Sequence, residues 1–235
     1  MLEAIMPLFS VSGLMAVLYL IILEGILSVD NALALAALVK SRLTDPAEQA
    51  KALHYGIVGA YVFRILVIFI GVWLMSHEWV KWMAALYLIY LGVSELLLKK
   101  HASDDGDNEV AGMNFKFLSP LWSTIIAVEL MDIMFSIDSI AVALSVSDKT
   151  SVLIAGAILG IVAMRFAAKY FIKLIDKFPV LEKTAFVLVT MAGTKIVIEL
   201  LGVHVSEMVF MPLMFAVIGG SMLLNHMKPE LFKKA

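Results

Sequence analysis

Glu24-Gly25-Ile26-Leu27-Ser28-Val29-Asp30-Asn31 and Asp132-Ile133-Met134-Phe135-Ser136-Ile137-Asp138-Ser139 are the two stretches on which the fold turns. Laid one above the other they match acid, serine, aspartate and small polar residue without a gap, and both lie inside long apolar runs. A carboxylate at the centre of a bilayer costs at least ~2.5–3.5 kcal/mol on translocon scales. Five of them, Glu24, Asp30, Glu129, Asp132 and Asp138, would cost on the order of 10 kcal/mol uncompensated, comparable to the whole stability of a typical protein. Something must neutralise them. The choices are Arg64 and Arg165, which fall within apolar runs, bound protons, or a bound cation.

The surrounding composition fixes the class. The chain has 235 residues, 62% hydrophobic and 16% charged, with a mean hydropathy of +0.96, against about 45–50% apolar residues in soluble domains. An integral membrane protein is expected. The absence of cysteine excludes disulfides, thiolate nucleophiles and cysteine-ligated zinc or iron–sulfur sites. Met1-Leu2-Glu3 is not the basic opening of a secretory signal, so the first apolar run is read as mature structure. Runs of spanning length fall at 10–39, 53–75, 80–98, 120–146, 152–174, 184–202 and 208–225, which predicts seven transmembrane helices in an all-α membrane protein. Asp45-Pro46-Ala47-Glu48 has the form of a capping box with proline at the first helical position, and Ser119-Pro120 reads as the start of the fourth span.

Cations outside the spans divide unevenly. The N-terminal side holds only Lys81 and Lys149, and the opposite side holds thirteen, from Lys40, Arg42 and Lys51 to Lys228, Lys233 and Lys234. The positive-inside rule then predicts the N-terminus outside and the C-terminus in the cytoplasm. The acidic stretch Asp104-Asp105-Gly106-Asp107-Asn108-Glu109 lacks the spacing and terminal glutamate of a calcium loop. It reads as part of a solvated linker.

The repeat extends beyond the two motifs. Gly59 precedes Arg64 by five residues and Gly160 precedes Arg165 by five, while Leu91-Gly92-Val93-Ser94 lies opposite Ala192-Gly193-Thr194-Lys195. The expected organisation is a first three-helix repeat at 1–100, a cytoplasmic linker at 101–118, a second repeat at 119–203, and a seventh helix with a tail at 204–235. Three spans per repeat make the copies inverted, a mark of secondary transporters whose substrate sits near the midplane between halves.

Helical geometry adds a condition. Glu24, Ser28 and Asn31 share one face, as do Asp132, Ser136 and Ser139, but six residues of straight helix leave Glu24 and Asp30 about 120° apart. They converge on one ligand only if the helix is interrupted. Discontinuous or kinked helices are therefore predicted in the first and fourth spans, with Asp30 and Asp138 near the breaks and Ser-x-Asp resembling an internal N-cap signal. Carboxylates, Ser28, Ser136 and Asn31 are hard oxygen donors, suited to magnesium, calcium or manganese rather than copper or zinc. Met131 and Met134 are read as packing. Glu95, Lys195 and Glu199 are expected to snorkel to the interface, and Trp73, Trp79 and Trp82 to form an aromatic belt.

On LEGILSVDNALALAALVK, HYGIVGAYVFR and VELMDIMFSIDSIAVAL the chain resembles the TerC family of integral membrane proteins, within the wider LysE-type transporter superfamily. The resemblance implies manganese export from the bacterial cytoplasm across the inner membrane, with Glu24, Asp30, Asn31, Glu129, Asp132 and Asp138 as the acidic motif residues. Ser139 stands where the first motif has Asn31. The spacing alone supplies only a hard divalent cation, with calcium and magnesium as alternatives. The expected partners are that cation, protons and the lipid bilayer, with no nucleic acid and no enzymatic activity. The rival reading is a membrane protein whose cation site is structural or regulatory, acting as a partner of other membrane proteins. An intramembrane aspartyl protease lacks its Gly-x-Gly-Asp context here, and a retinal protein lacks a central lysine in the seventh span.

Overall fold

The computed structural model describes residues 6–75, 77–97, 109–110, 113–114, 119–146 and 149–227. Within these, the side chains at 6–7, 23, 26–27, 57–58, 64, 67–69, 71–75, 109–110, 113–114, 137–145 and 150 fall outside the described set. Eight α-helices occur among the described residues: α1 (Val11–Leu27), α2 (Val29–Arg42), α3 (Pro46–Met75), α4 (Glu78–Leu97), α5 (Pro120–Val146), α6 (Thr150–Lys177), α7 (Val180–Leu200) and α8 (Glu207–Met227). Among the described residues the other hydrogen-bonded elements are a 3-10 turn at Met6–Phe9 and a two-residue antiparallel pairing of Glu109–Val110 with Met113–Asn114. A helix stands at each of the seven apolar runs, with α1 and α2 dividing the first. By length and composition, α4, α8 and the segment Ser151–Lys177 of α6 can each cross a membrane.

Local chemistry sets the helix starts. The Ser10 hydroxyl accepts from the Gly13 N–H at 3.0 Å and caps α1. The carboxylate of Asp45 accepts from the Ala47 N–H at 2.9 Å, so α3 begins at Pro46 as the capping sequence predicts.

The first span is broken at Ser28. Its backbone leaves the helical region (φ −104°, ψ 18°), its N–H closes α1 onto the Glu24 carbonyl at 2.8 Å, and its carbonyl opens α2 by accepting from Ala32 at 2.9 Å. Gly25 is the weak point, because a helix-interior glycine costs about 1 kcal/mol against alanine. A side chain there would meet nothing within 4 Å, so packing does not require the glycine.

Of the two forms expected in the fourth span, the discontinuous one does not occur: α5 is one helix of 27 residues running through Asp132, Ser136 and Asp138. Two differences account for this. Ile133 stands where the first motif has Gly25, and the Ser136 hydroxyl donates back to the Asp132 carbonyl at 2.7 Å, a bond that fits an unbroken helix.

Every residue of α2 from Asp30 to Val39 is buried, because α5, α6 and α7 pack around it. At its far end Lys40 pairs with Asp176 of α6, and Arg42 Nη2 lies 3.0 Å from Glu95 Oε1 of α4. Glu95 therefore does not snorkel; it is largely buried against Arg42. Nor does Lys195, which is buried, lies 2.5 Å from Glu207 and 3.6 Å from Glu199, and sits over the Phe210 ring at 5.5 Å. That lysine ties α7 to α8 through Glu207.

The most extensive helix pairing is α4 on α7. Its closeness depends on Gly92 and Gly193. A side-chain carbon at Gly92 would lie 2.2 Å from Thr190 Oγ1 and 2.7 Å from the Phe186 carbonyl oxygen, and one at Gly193 would lie 2.8 Å from the Ala85 carbonyl oxygen and Ile89 Cγ1. Each glycine thus meets the residues three and seven positions before the other. Backbone cannot swing aside, so Gly92→Ala should destabilise by about 1–3 kcal/mol, while Gly25→Ala, with open space and better helix propensity, should keep or raise stability. Thermal unfolding of the two purified variants in detergent checks this; equal midpoints would contradict it.

Candidate functional site

Arg165 is the centre of the buried polar cluster. It projects from the middle of α6 and is 2% exposed. Its Nη2 lies 3.2 Å from Glu129 Oε1 and 3.5 Å from Asp132 Oδ2, and donates to the Gly56 carbonyl at 3.2 Å. Glu129 and Asp132 are three residues apart on α5 and so present both carboxylates on one face. Opposite them α3 presents Gly56 and Gly59, one turn apart. Glu129 fills the space left by their missing side chains: a carbon added at Gly59 would lie 2.4 Å from Oε2, and one at Gly56 2.7 Å from Oε1.

The first motif is arranged around the helix break. Asp30 sits in the first turn of α2, 6% exposed, with Asn31 buried beside it. A carboxylate at a helix N-terminus is favoured by about 0.3–1 kcal/mol, more when partly buried. Ser28 stands at the cap position but does not cap; its hydroxyl donates to Glu24 Oε1 at 3.1 Å. Glu24 in turn lies against Gly160 of α6, where an added carbon would be 2.8 Å from its Cγ.

Both Ser28 and Ser136 are buried next to the acids, but they do different work: one orients a carboxylate, the other ties down a backbone carbonyl. Asp138, Ser139 and Arg64 carry side chains outside the described residues. Among the described residues no three histidine or acidic side chains converge closely enough to hold a metal ion. The described acids of α5 converge instead on the Arg165 guanidinium, itself a cation. Sequence reasoning missed Gly56 as a carbonyl acceptor and the Lys195–Glu207 pair. The Gly-x-x-Gly spacing of HYGIVGAYVFR was the available signal for the first; the second had none, since Lys195 lies near a span end.

The sequence model of the integral membrane protein TerC family matches residues 9–234. The chain belongs to the TerC family. This TerC protein is 39% identical over 212 residues to "Uncharacterized membrane protein YceF" of Bacillus subtilis, covering 90% of this chain and 81% of that one. It is also 39% identical over 197 residues to "Uncharacterized membrane protein YkoY" of the same organism, covering 76% of this chain and 58% of YkoY. A third relative is "Putative membrane-bound redox modulator Alx" of Photorhabdus laumondii, 30% identical over 212 residues, covering 80% of this chain and 65% of Alx. No solved structure matches the chain. Family and apolar helices together make it an integral membrane protein.

Removing Arg165 would leave Glu129 and Asp132 buried without their cation. In this TerC protein Arg165→Gln should cost about 3–5 kcal/mol, the usual consequence of breaking a buried pair from one side, and Glu129→Gln added to it should recover part of that loss. Unfolding midpoints of the single and double variants measure this. An unchanged midpoint for Arg165→Gln would show that the cluster carries no such energy.

Proposed function

We propose that this TerC-family protein is a secondary transporter that exports a divalent cation, chiefly manganese, from the bacterial cytoplasm across the inner membrane by alternating access, in exchange for protons. The observation that carries the reading is the placing of Asp30 and Asp132, both buried, and of the partly buried Glu129, with Arg165 in the interior of an apolar helix bundle, beside a broken helix. Groups this costly are retained in membranes where they line ion paths. Their donors are hard oxygens.

Paired contacts support two inverted three-helix repeats. Helix α4 packs on α7, α3 on α5, and α1 and α2 on α6, which is the exchange expected when third helices meet and first helices meet second ones. Gly92 and Gly193 make reciprocal contacts, and Glu129 on Gly59 answers Glu24 on Gly160. By that contact the counterpart of Glu24 is Glu129, one turn from the Asp132 suggested by the gapless motif match. The seven-span, N-out arrangement is consistent with the ion pairs, since Lys40–Asp176 and Arg42–Glu95 join helix ends on one side.

In this reading Arg165 holds Glu129 and Asp132 until a cation draws them away, and carboxylates that give up metal take protons, which couples the two fluxes. At the Lys40 and Arg42 end two ion pairs tie α2 to α6 and α4, and an opening on that side would have to part them. Any redox role of the kind named in the Alx relatives would run in this chain without cysteine thiols.

Reconstituted in liposomes, the protein should carry manganese across the membrane, and Asp30→Asn and Asp138→Asn should each abolish most of the flux while the protein stays folded. Unchanged flux in both variants would remove these acids from the transport site. Tight manganese binding without flux would instead favour the structural or regulatory reading.

A further inference from the structure

Resting on the transporter reading, we propose that Gly59, Gly56 and Gly160 are positioning residues for the cation site: their missing side chains form two notches that fix where the Glu129 and Glu24 carboxylates stand, and so set cation affinity. Glycine in a helix interior is unfavourable relative to alanine, so its presence in the middle of α3 and α6 calls for a reason. At Gly25, Gly219 and Gly220 an added carbon meets nothing within 4 Å. At Gly59 it would lie 2.4 Å from Glu129 Oε2, 2.8 Å from Cδ and 3.2 Å from Cγ. At Gly56 it would lie 2.7 Å from Oε1 and 3.3 Å from Arg165 Nη1.

What is in the way matters as much as how close it is. At Gly92 the obstacle includes backbone, and the helices themselves would have to part. At Gly59 it is the far end of one flexible side chain. A methyl there leaves α3 and α5 in place and moves the carboxylate, which is the atom group a cation would feel. A second observation points the same way: Glu129 Oε2, the oxygen against Gly59, is buried and has no hydrogen-bond partner among the described residues. Its position is held by the shape of the notch and by the bond from Arg165 to the other oxygen.

The two notches differ in depth. At Gly160 the near atoms are Glu24 Cγ at 2.8 Å and Cβ at 3.2 Å, with Cδ only at 3.8 Å. Shortening glutamate to aspartate takes away the closest contact at Gly59, that of Oε2, and draws the carboxylate back by one carbon. It leaves the crowding at Gly160, where the root of the side chain is.

The test is calorimetric titration of manganese into the purified full chain in detergent, with the unfolding midpoint of each variant measured alongside. Gly59→Ala should stay folded, with a midpoint above that of Arg165→Gln because Arg165 keeps Asp132, and bind manganese about 10–100-fold more weakly, the usual effect of disturbing the groups that orient a metal ligand. Gly59→Ala with Glu129→Asp should regain most of that affinity and exceed Glu129→Asp alone. Gly160→Ala with Glu24→Asp should regain none. Gly59→Ala that binds like wild type, that gains nothing from the aspartate, or that loses its fold would overturn the proposal, the last by showing that the glycine serves helix packing. A wild-type protein that binds no divalent cation would overturn the transporter reading and this inference with it.

Discussion

A carboxylate carried into an apolar bundle has to be met there by a cation, a proton or a donor, because no water is at hand to share the charge. In this protein that demand organises the interior. Arg165 answers Glu129 and Asp132 from α6, Ser28 answers Glu24 across a helix break, and the first turn of α2 receives Asp30 at its positive end. Each answer requires an element in a specific place. Helix α2 has to start in the interior rather than at the surface, and α3 has to come close enough for Gly56 to lend its carbonyl.

Close approach recurs as the means. Where α4 meets α7, glycine lets backbone touch backbone, and the result is a fixed seam. Where α3 meets α5 and α6 meets α1, glycine lets a carboxylate lie against a helix, and the result is a held charge. The same residue type therefore separates into two roles by what fills the space it leaves. A transporter that rocks one half against the other needs both: a seam to move about and ligands that stay put.

Much of this was legible in the sequence. The apolar runs located the helices among the described residues, and Ser-x-Asp placed a break near Asp30, two residues from the Ser28 where it occurs. The unbroken α5 was not legible, because the gapless match of acid, serine and aspartate implied equal backbones. The deciding facts were the isoleucine in place of Gly25 and the return of the Ser136 hydroxyl to its own helix, a choice no spacing rule encodes. Burial of Glu95 and Lys195 was hidden for another reason: position along a span gives depth, whereas partners on other helices decide whether a charge must reach for the interface.

The most direct test of the central claim, that the buried acids form a divalent-cation site, is a crystal structure of the protein grown with manganese, with the metal located by its anomalous scattering. A divalent-cation site would give a peak in the bundle interior within ligand distance of Asp30 and of acids from α5, with Glu129 or Asp132 drawn off Arg165. Manganese found only at surface acids, with the Arg165 pairs intact, would contradict it.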